Sequence, residues 1–345
     1  MLLDANGNTQ PSNTYYLSTN QVGSNDGIAY VTSADLDGDH ITDYVYAGDL
    51  LGNVWRFDLT SAVETNWAAA STPLFTTSGG QPITTKLQVI SVPQGSGPPR
   101  IMIDFGTGQK FPPTNLTPTT YQGGVQSLYG VWDWNLGNWN SMSGTQYLSL
   151  PSGTTAAPSG ALNSSNLQTQ TLTPIVESDG TNGLDITSNV ICWAGSGTCG
   201  SGNTQFGFAT ALPGVQEQIV FNPLVYQNAL IVNTTIPAVN SPSSCTVQHD
   251  TGDTIAISLA TGGSLGNNVT GSYFVTSSDP QLAGVETNGT GTPFAVLAGG
   301  KTFLMTQTLG DAGGGGGFMC SGKVCSTPVQ AATLTSKRLT WIERR

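Results

Sequence analysis

The chain is divided into short apolar or alternating runs: "GIAYVTSADL", "DYVYAGDL", "NVWRFDL", "KLQVISV", "RIMIDFG", "SLYGVWDW", "EQIVFNPLVY", "NALIVNTTI", "TIAISLA", "GSYFVTS" and "KTFLMTQTL". Clusters of Gly, Pro, Asn and Asp separate them. β-branched and aromatic residues at alternate positions suit a pleated, half-buried strand, and the residues between suit tight turns. Helical periodicity, which needs apolar residues at i, i+3, i+4 and i+7, is almost absent. Such a chain is restricted to the all-β architectures of sandwich, barrel or propeller.

A weak internal echo chooses among the three. "MLLDANGN", "VWRFDLTSA", "LYGVWDWNLGN" and "IAISLATGGS" each read as apolar strand, turn-forming residue and small polar turn, the order expected of a propeller blade's closing hairpin. Their landmarks, Asp4, Asp58, Asp133 and Ser258, are unevenly spaced and farther apart than the ~40–50 residues of a regular repeat, which predicts long inserted loops. The expectation is β-propeller structure over residues 1–345, with a generic sandwich as the alternative. "PQGSGPP" (93–99) and "PSGTTAAPSGALNSSN" (151–166) read as loop insertions, and "DAGGGGGFMCSGKVC" (311–325) as a mobile Gly-rich surface loop. The five glycines there do not cradle phosphate, because no Lys-Ser/Thr follows and no βαβ unit surrounds them.

Charge narrows the partners. Lys plus Arg is 10 and Asp plus Glu is 21, for a net charge of −11, so nucleic acid and anionic lipid would be repelled. Charged residues make up only 9 %, against roughly 25 % in an ordinary globular protein, which leaves Ser, Thr, Asn and Gln to build the polar surface. A hydrophobic share of 37 %, with seven Trp and ten Tyr, supplies a core and argues against disorder. No apolar run reaches the ~18–20 residues needed to span a bilayer. Met1 is followed by "LLDANGNTQ", which has neither the basic start nor the apolar stretch of a signal peptide.

The cysteines point the other way, to an oxidising compartment. Cys192 and Cys199 bracket "WAGSGT", and Cys320 and Cys325 bracket "SGKV". These spacings fit a zinc ribbon poorly and only two His are present to complete one, so a disulfide is expected within at least one pair. Cys245 is left over, either free or paired with Cys320 or Cys325.

The densest chemistry lies in "DLDGDHITD". Counted from Asp35, carboxylates fall at positions 1, 3, 5 and 9 (Asp35, Asp37, Asp39, Asp43), with Ile41 at position 7. In calcium loops the odd positions converge because the chain coils around the ion, and position 7 offers its carbonyl. Position 12, the bidentate Glu of an EF-hand, is Tyr46, and both flanks read as strands, so the pattern predicts a shorter D-x-D-x-D-x-x-x-D loop between strands with Asp43 bidentate. Hard oxygen donors of this number favour Ca²⁺ over Mg²⁺ and over softer metals. His40 takes the position where a glycine is usual, which calls for a left-handed residue. A fainter echo, Glu177, Asp179, Thr181 and Asp185 in "ESDGTNGLD", reads as a surface turn rather than a second ion site.

The residues after the loop carry a resemblance. "DYVYAGDLLGNVWRFDL", then "QPITTK", "DFGTGQKF", "QSLYGVWD" and the closing "SKRLTWIERR", resembles in order and type the C-terminal domain of the PilY1 family of type IV pilus tip proteins. The resemblance implies a modified β-propeller, export to the cell surface, and Ca²⁺ held by Asp35, Asp37, Asp39, Ile41 and Asp43. It also implies adhesion at the pilus tip, calcium-dependent control of pilus extension and retraction, minor pilins as partners, and a host or abiotic surface ligand. Departures are His40 in the loop, "GVQEQIVFNP" without the family's Arg, and a start only about 34 residues before the loop, read as a propeller short of its opening blades. The C-terminal strand with Leu339, Trp341 and Ile342 is then expected to pair with a missing N-terminal strand.

The chain is expected not to be an enzyme. A quinoprotein-like propeller enzyme would need coordination positions for its cofactor, which four protein carboxylates leave scarce. His40 and His249 are the only imidazoles, and "QHDTGD" around His249 reads as a polar turn. A carbohydrate-binding surface module is the other alternative, with Trp132, Trp134 and Trp139 available to stack on sugars, although filling a blade is their favoured use.

Overall fold

The computed structural model describes residues 15–19, 26–112, 120–150, 157–178, 180, 182–200, 202–239, 248–266, 272–274, 279–308, 319–321, 323–330 and 337–339. Nearly all regular structure in them is strand, beside one short α-helix, Gly137–Met142, and a few 3₁₀ turns. The all-β expectation holds.

The N-terminal sheet is a meander of β1 (Ile28–Ala34), β2 (Tyr44–Asp49) and β3 (Asn53–Asp58), all antiparallel, with two-residue strands beyond β3. Alternation decides its faces. Tyr44, Tyr46 and Val54 enter the main core, while Ala47, Trp55 and Phe57 form a second small cluster on the other side with Val45 and Leu17. The β2–β3 turn is organised by Asp49, whose Oδ1 accepts the Leu51 and Asn53 N–H groups at 3.0 and 2.7 Å. Its Oδ2 takes Asn53 Nδ2 and Trp55 Nε1 at 2.9 and 2.8 Å, and Gly52 supplies the left-handed residue at φ +83°.

The blades do not stay separate. One eleven-stranded sheet runs from Leu224–Tyr226 through Ala229–Asn233, Asp253–Ser258, Leu282–Glu286, Asn182–Ile186, Gln168–Val176, Gly207–Ala211, Ser127–Trp132, Gly97–Gly106 and Gln88–Gln94 to Lys337–Arg338. Every neighbouring pair in it is antiparallel except Gln168–Val176 with Gly207–Ala211, so two antiparallel groups meet at a single parallel seam. A four-stranded sheet (Gly289–Ala298, Lys301–Thr308, Val324–Val329, Met319–Ser321) covers the Ala229, Ile231 and Ala256 face through Leu304, Cys325 and Val329.

Several expectations change here. "PQGSGPP" is not an insertion but the end of a hairpin: Gln88–Gln94 pairs with Gly97–Gly106, and Pro93 sits at the register shift between Val92 and Gln94, where the ladder tolerates a missing N–H. Within 151–166, Leu162 is buried and bridges Phe75, and Asn163 caps the 3₁₀ turn Ser164–Asn166; residues 151–156 lie outside the described residues. The sequence predicts a disulfide in at least one cysteine pair, and both are bonded, Cys192–Cys199 and Cys320–Cys325, the latter across a hairpin. Cys245, "MLLDANGN" and glycines 313–317 lie outside the described residues. The C-terminal strand pairs within the chain: Lys337 and Arg338 lie against Ser91 and Ile90, and the Leu339 N–H donates to the Val89 carbonyl at 3.1 Å. Trp341 and Ile342 lie outside the described residues.

Candidate metal centre

The loop between β1 and β2 is coiled by its own aspartates. Asp35 Oδ1 accepts the Gly38 N–H at 2.7 Å and its Oδ2 the His40 N–H at 3.0 Å. Asp37 Oδ1 accepts the Asp39 N–H at 3.2 Å, and Asp39 Oδ1 accepts the Ile41 N–H at 2.7 Å. Each carboxylate thus replaces a backbone acceptor in a local turn. The coil brings one oxygen from each of Asp35, Asp37 and Asp39 within 4.8 Å of one another. It also requires left-handed backbone at Gly38 (φ +83°) and at His40 (φ +74°), as the sequence predicts for the latter.

Asp43 is placed differently. It is buried at the entry to β2, outside the converged trio, and its Oδ2 accepts the Leu36 N–H at 2.6 Å. Burial pushes its carboxyl up to about 6; the Leu36 hydrogen bond opposes this, and repulsion from Asp37, Asp35 and Asp39 adds to it. Ile41 is exposed on the loop.

Behind the carboxylates the loop is fastened to three other parts of the chain. Buried Leu36 offers its carbonyl to the Tyr147 hydroxyl at 2.5 Å. The Asp35 N–H donates to the Leu339 carbonyl at 3.1 Å, and the Asp43 carbonyl accepts the Leu59 N–H at 2.9 Å. Three carboxylates converge on the turn with a buried fourth, Asp43, behind them, all hard oxygen donors, and this donor set fits Ca²⁺. Asp35, Asp37, Asp39, Ile41 and Asp43 would hold it, and the ion would supply the positive charge that their mutual repulsion lacks.

The other candidate residues are accounted for structurally. Glu177 begins the turn between Gln168–Val176 and Asn182–Ile186, accepting the Gly180 N–H through its carbonyl at 2.9 Å, and Asp185 is part of the second strand. Asp179 and Thr181 lie outside the described residues. Trp132 and Trp139 are buried and Trp134 packs against the same core, so they fill the fold instead of offering a sugar platform. Beside exposed His249, Asp250 accepts the Ala238 N–H at 2.9 Å and the Tyr121 hydroxyl, as suits a polar turn. Sequence reading missed Asp49 and Tyr147. For Asp49 the signal was the local "GDLLGN" turn; Tyr147 has none, since its partner is far away in sequence.

Comparison with known proteins shows what the chain is similar to. A family model described as the PilY1 beta-propeller domain matches residues 17–173, a span that includes the loop and the β2–β3 hairpin. Over residues 17–173 the chain is thus similar to the PilY1 β-propeller domain. The type IV pilus biogenesis factor PilY1 of Pseudomonas aeruginosa strain PAO1 is 31 % identical over 134 residues, which cover 33 % of this chain and 11 % of that protein. A PilY1 homolog of Xylella fastidiosa is 38 % identical over 114 residues, covering 32 % of this chain and 8 % of the homolog. The match therefore spans about a tenth of these relatives' length. The crystal structure of the Pseudomonas aeruginosa PilY1 C-terminal domain superposes with a TM-score of 0.58 at 21 % identity, covering 90 % of this chain and 62 % of that one. The β-propeller-type fold thus extends well beyond the family match.

Proposed function

We propose that this chain is the calcium-binding module of a type IV pilus biogenesis protein, exported to the cell surface and placed at the pilus tip. In this reading it takes part in adhesion and in calcium-dependent control of pilus extension and retraction. Its partners are minor pilins and a host or abiotic surface ligand, and it is not a catalyst. The names of the relatives support the pilus role, and the two disulfides suit an exported protein. The observation that carries the calcium reading is the convergence of Asp35, Asp37 and Asp39 on a strand-flanked loop with Asp43 behind them.

Calcium would act through the fastening points. Charge neutralisation favours the coiled loop over an open one, and the coil holds Leu36 against Tyr147 and Asp35 against Leu339. The ion would thereby stiffen the junction of the N-terminal sheet with the C-terminal strand on Gln88–Gln94. Titration calorimetry on chelator-treated protein tests it: one site is expected with Kd in the ~10⁻⁷–10⁻⁵ M range of sensor loops, and much weaker Mg²⁺ binding. Absence of a calcium heat, or equal affinity for Mg²⁺, would overturn the reading.

A further inference from the structure

A second acidic site lies away from the loop. Strands Asp253–Ser258 and Leu282–Glu286 place Asp253 directly opposite Glu286, a like-charge cross-strand pair that is unfavourable unless something positive intervenes. Glu217, 1 % exposed, lines the same cavity of about 450 Å³. Its Oε2 accepts the Gly214 N–H at 2.8 Å, but its buried Oε1 has no hydrogen-bond partner among the described residues. The Thr234 hydroxyl, 3.4 Å from the Asp253 carbonyl, also lies beside the Glu217 carboxyl and partly offsets the upward push of burial on it. A buried carboxylate oxygen without a partner is unfavourable, so Oε1 at a cavity wall marks a place for a donor.

The walls define what kind of donor. Pro174, Ile175, Leu184 and Ile236 make them apolar, and no Lys, Arg or His among the described residues lines the cavity. The two ion pairs among the described residues, Arg56–Asp133 and Lys110–Asp250, lie elsewhere. Glu217, Asp253 and Glu286 do not converge into a set of metal donors as Asp35, Asp37 and Asp39 do. A compact ion is therefore a poor fit, whereas the volume is that of an ordinary ligand pocket.

We propose that this cavity binds a primary ammonium group carried on an aliphatic stem, with the stem against Ile175, Leu184 and Ile236 and the ammonium among Glu217, Asp253 and Glu286. The stem recovers apolar burial, and the ammonium brings N–H donors to Glu217 Oε1 and a positive charge to the Asp253–Glu286 pair. Burial, with repulsion from Glu217 and Glu286, pushes the Asp253 carboxyl up to about 7, the electrostatic stress that such a cation relieves. The ligand is a free alkylamine or a lysine side chain presented by a partner protein, and the chemistry is shared.

The test uses the full chain, saturated with calcium so that the loop does not compete, in calorimetry at pH 8. Probes are 1,5-diaminopentane, N-acetyl-lysine methylamide and, as a neutral shape control, pentane-1,5-diol. At least one amine should bind tenfold or more tightly than the diol, and Glu217→Gln should weaken it by tenfold or more. Glu286→Gln, at a partly exposed position whose amide keeps an acceptor for Asn182, should do the same without loss of fold. Tighter binding of the lysine amide assigns the site to a protein side chain, and tighter binding of the diamine assigns it to a free amine. No amine binding, equal binding of the diol, or amine binding unchanged in both variants overturns the proposal. Calcium affinity is read separately and is expected to stay the same in both variants.

Discussion

Arg56 on β3 is joined to Asp133, just past strand Ser127–Trp132, through one guanidinium nitrogen at 2.7 and 2.9 Å from the two carboxylate oxygens. Asp133 is fully buried and also accepts the Tyr46 hydroxyl at 2.7 Å, while Arg56 lies over the Tyr44 ring at 5.1 Å. This cluster locks the N-terminal sheet to the eleven-stranded one. Removing one partner leaves the other charge buried alone, so Asp133→Ala is expected to cost about 3–5 kcal/mol. Tyr46→Phe removes only one charge-assisted hydrogen bond and should cost about 1.5–3 kcal/mol. Urea denaturation of both variants measures the difference.

His40 sits at φ +74°, where an L side chain is strained. A left-handed residue costs roughly 1–2 kcal/mol, and glycine returns some of that gain as roughly 0.4–1 kcal/mol of unfolded-chain entropy. His40→Gly should therefore stabilise the chelator-treated protein by up to about 1 kcal/mol, seen as a higher thermal midpoint. A lower midpoint would show that contacts of the imidazole outweigh the strain.

What the sequence made legible was local. Nine residues contain the whole aspartate pattern, so its coil and the left-handed His40 follow from spacing alone. The β2–β3 hairpin was legible for the same reason, because Tyr44 and Tyr46 alternate with Val45 and Ala47. Proline misled where its neighbours decided the outcome: Pro93 reads as a breaker but is absorbed by a register shift. Long-range pairing was not legible. Nothing near Glu217, Asp253 or Glu286 announces that they line one cavity, and the parallel seam at Gln168–Val176 depends on which strands meet, not on their own composition.

Asp253 sets a pH dependence. Its folded value, about 7, is above that of an exposed Asp, near 3.8, so the folded state holds the proton more tightly. The associated stability is fully present below about pH 4 and is lost as pH rises through about 7. The protein without added amine is therefore expected to melt lower at pH 8 than at pH 5.5 through this group. Asp253→Asn removes the ionisation and should flatten that stretch of the profile while raising the midpoint at pH 8. Differential scanning calorimetry of the two proteins across pH 5–8 checks it; parallel profiles would place the pH sensitivity in other groups.

The Leu36 peptide unit links the metal loop to the core from both sides. Its N–H donates to Asp43 Oδ2 at 2.6 Å, and the carbonyl of the same residue accepts the buried Tyr147 hydroxyl. Tyr147→Phe keeps the ring packed and deletes only the donor, at about 1 kcal/mol for a typical hydrogen bond. If the loop is coiled only when Leu36 is held, part of that cost appears as weaker calcium binding, about fivefold for 1 kcal/mol. Asp37→Ala removes one member of the converged trio and should weaken binding more than Tyr147→Phe does. Asp43→Ala should be the most severe of the three, since it deletes a proposed ligand and also leaves the Leu36 N–H without its acceptor. Calcium titrations of the three variants give the order. Unchanged affinity in Tyr147→Phe with lowered stability would mean that the anchor serves the fold alone, and a milder effect of Asp43→Ala than of Asp37→Ala would remove Asp43 from the ligand set.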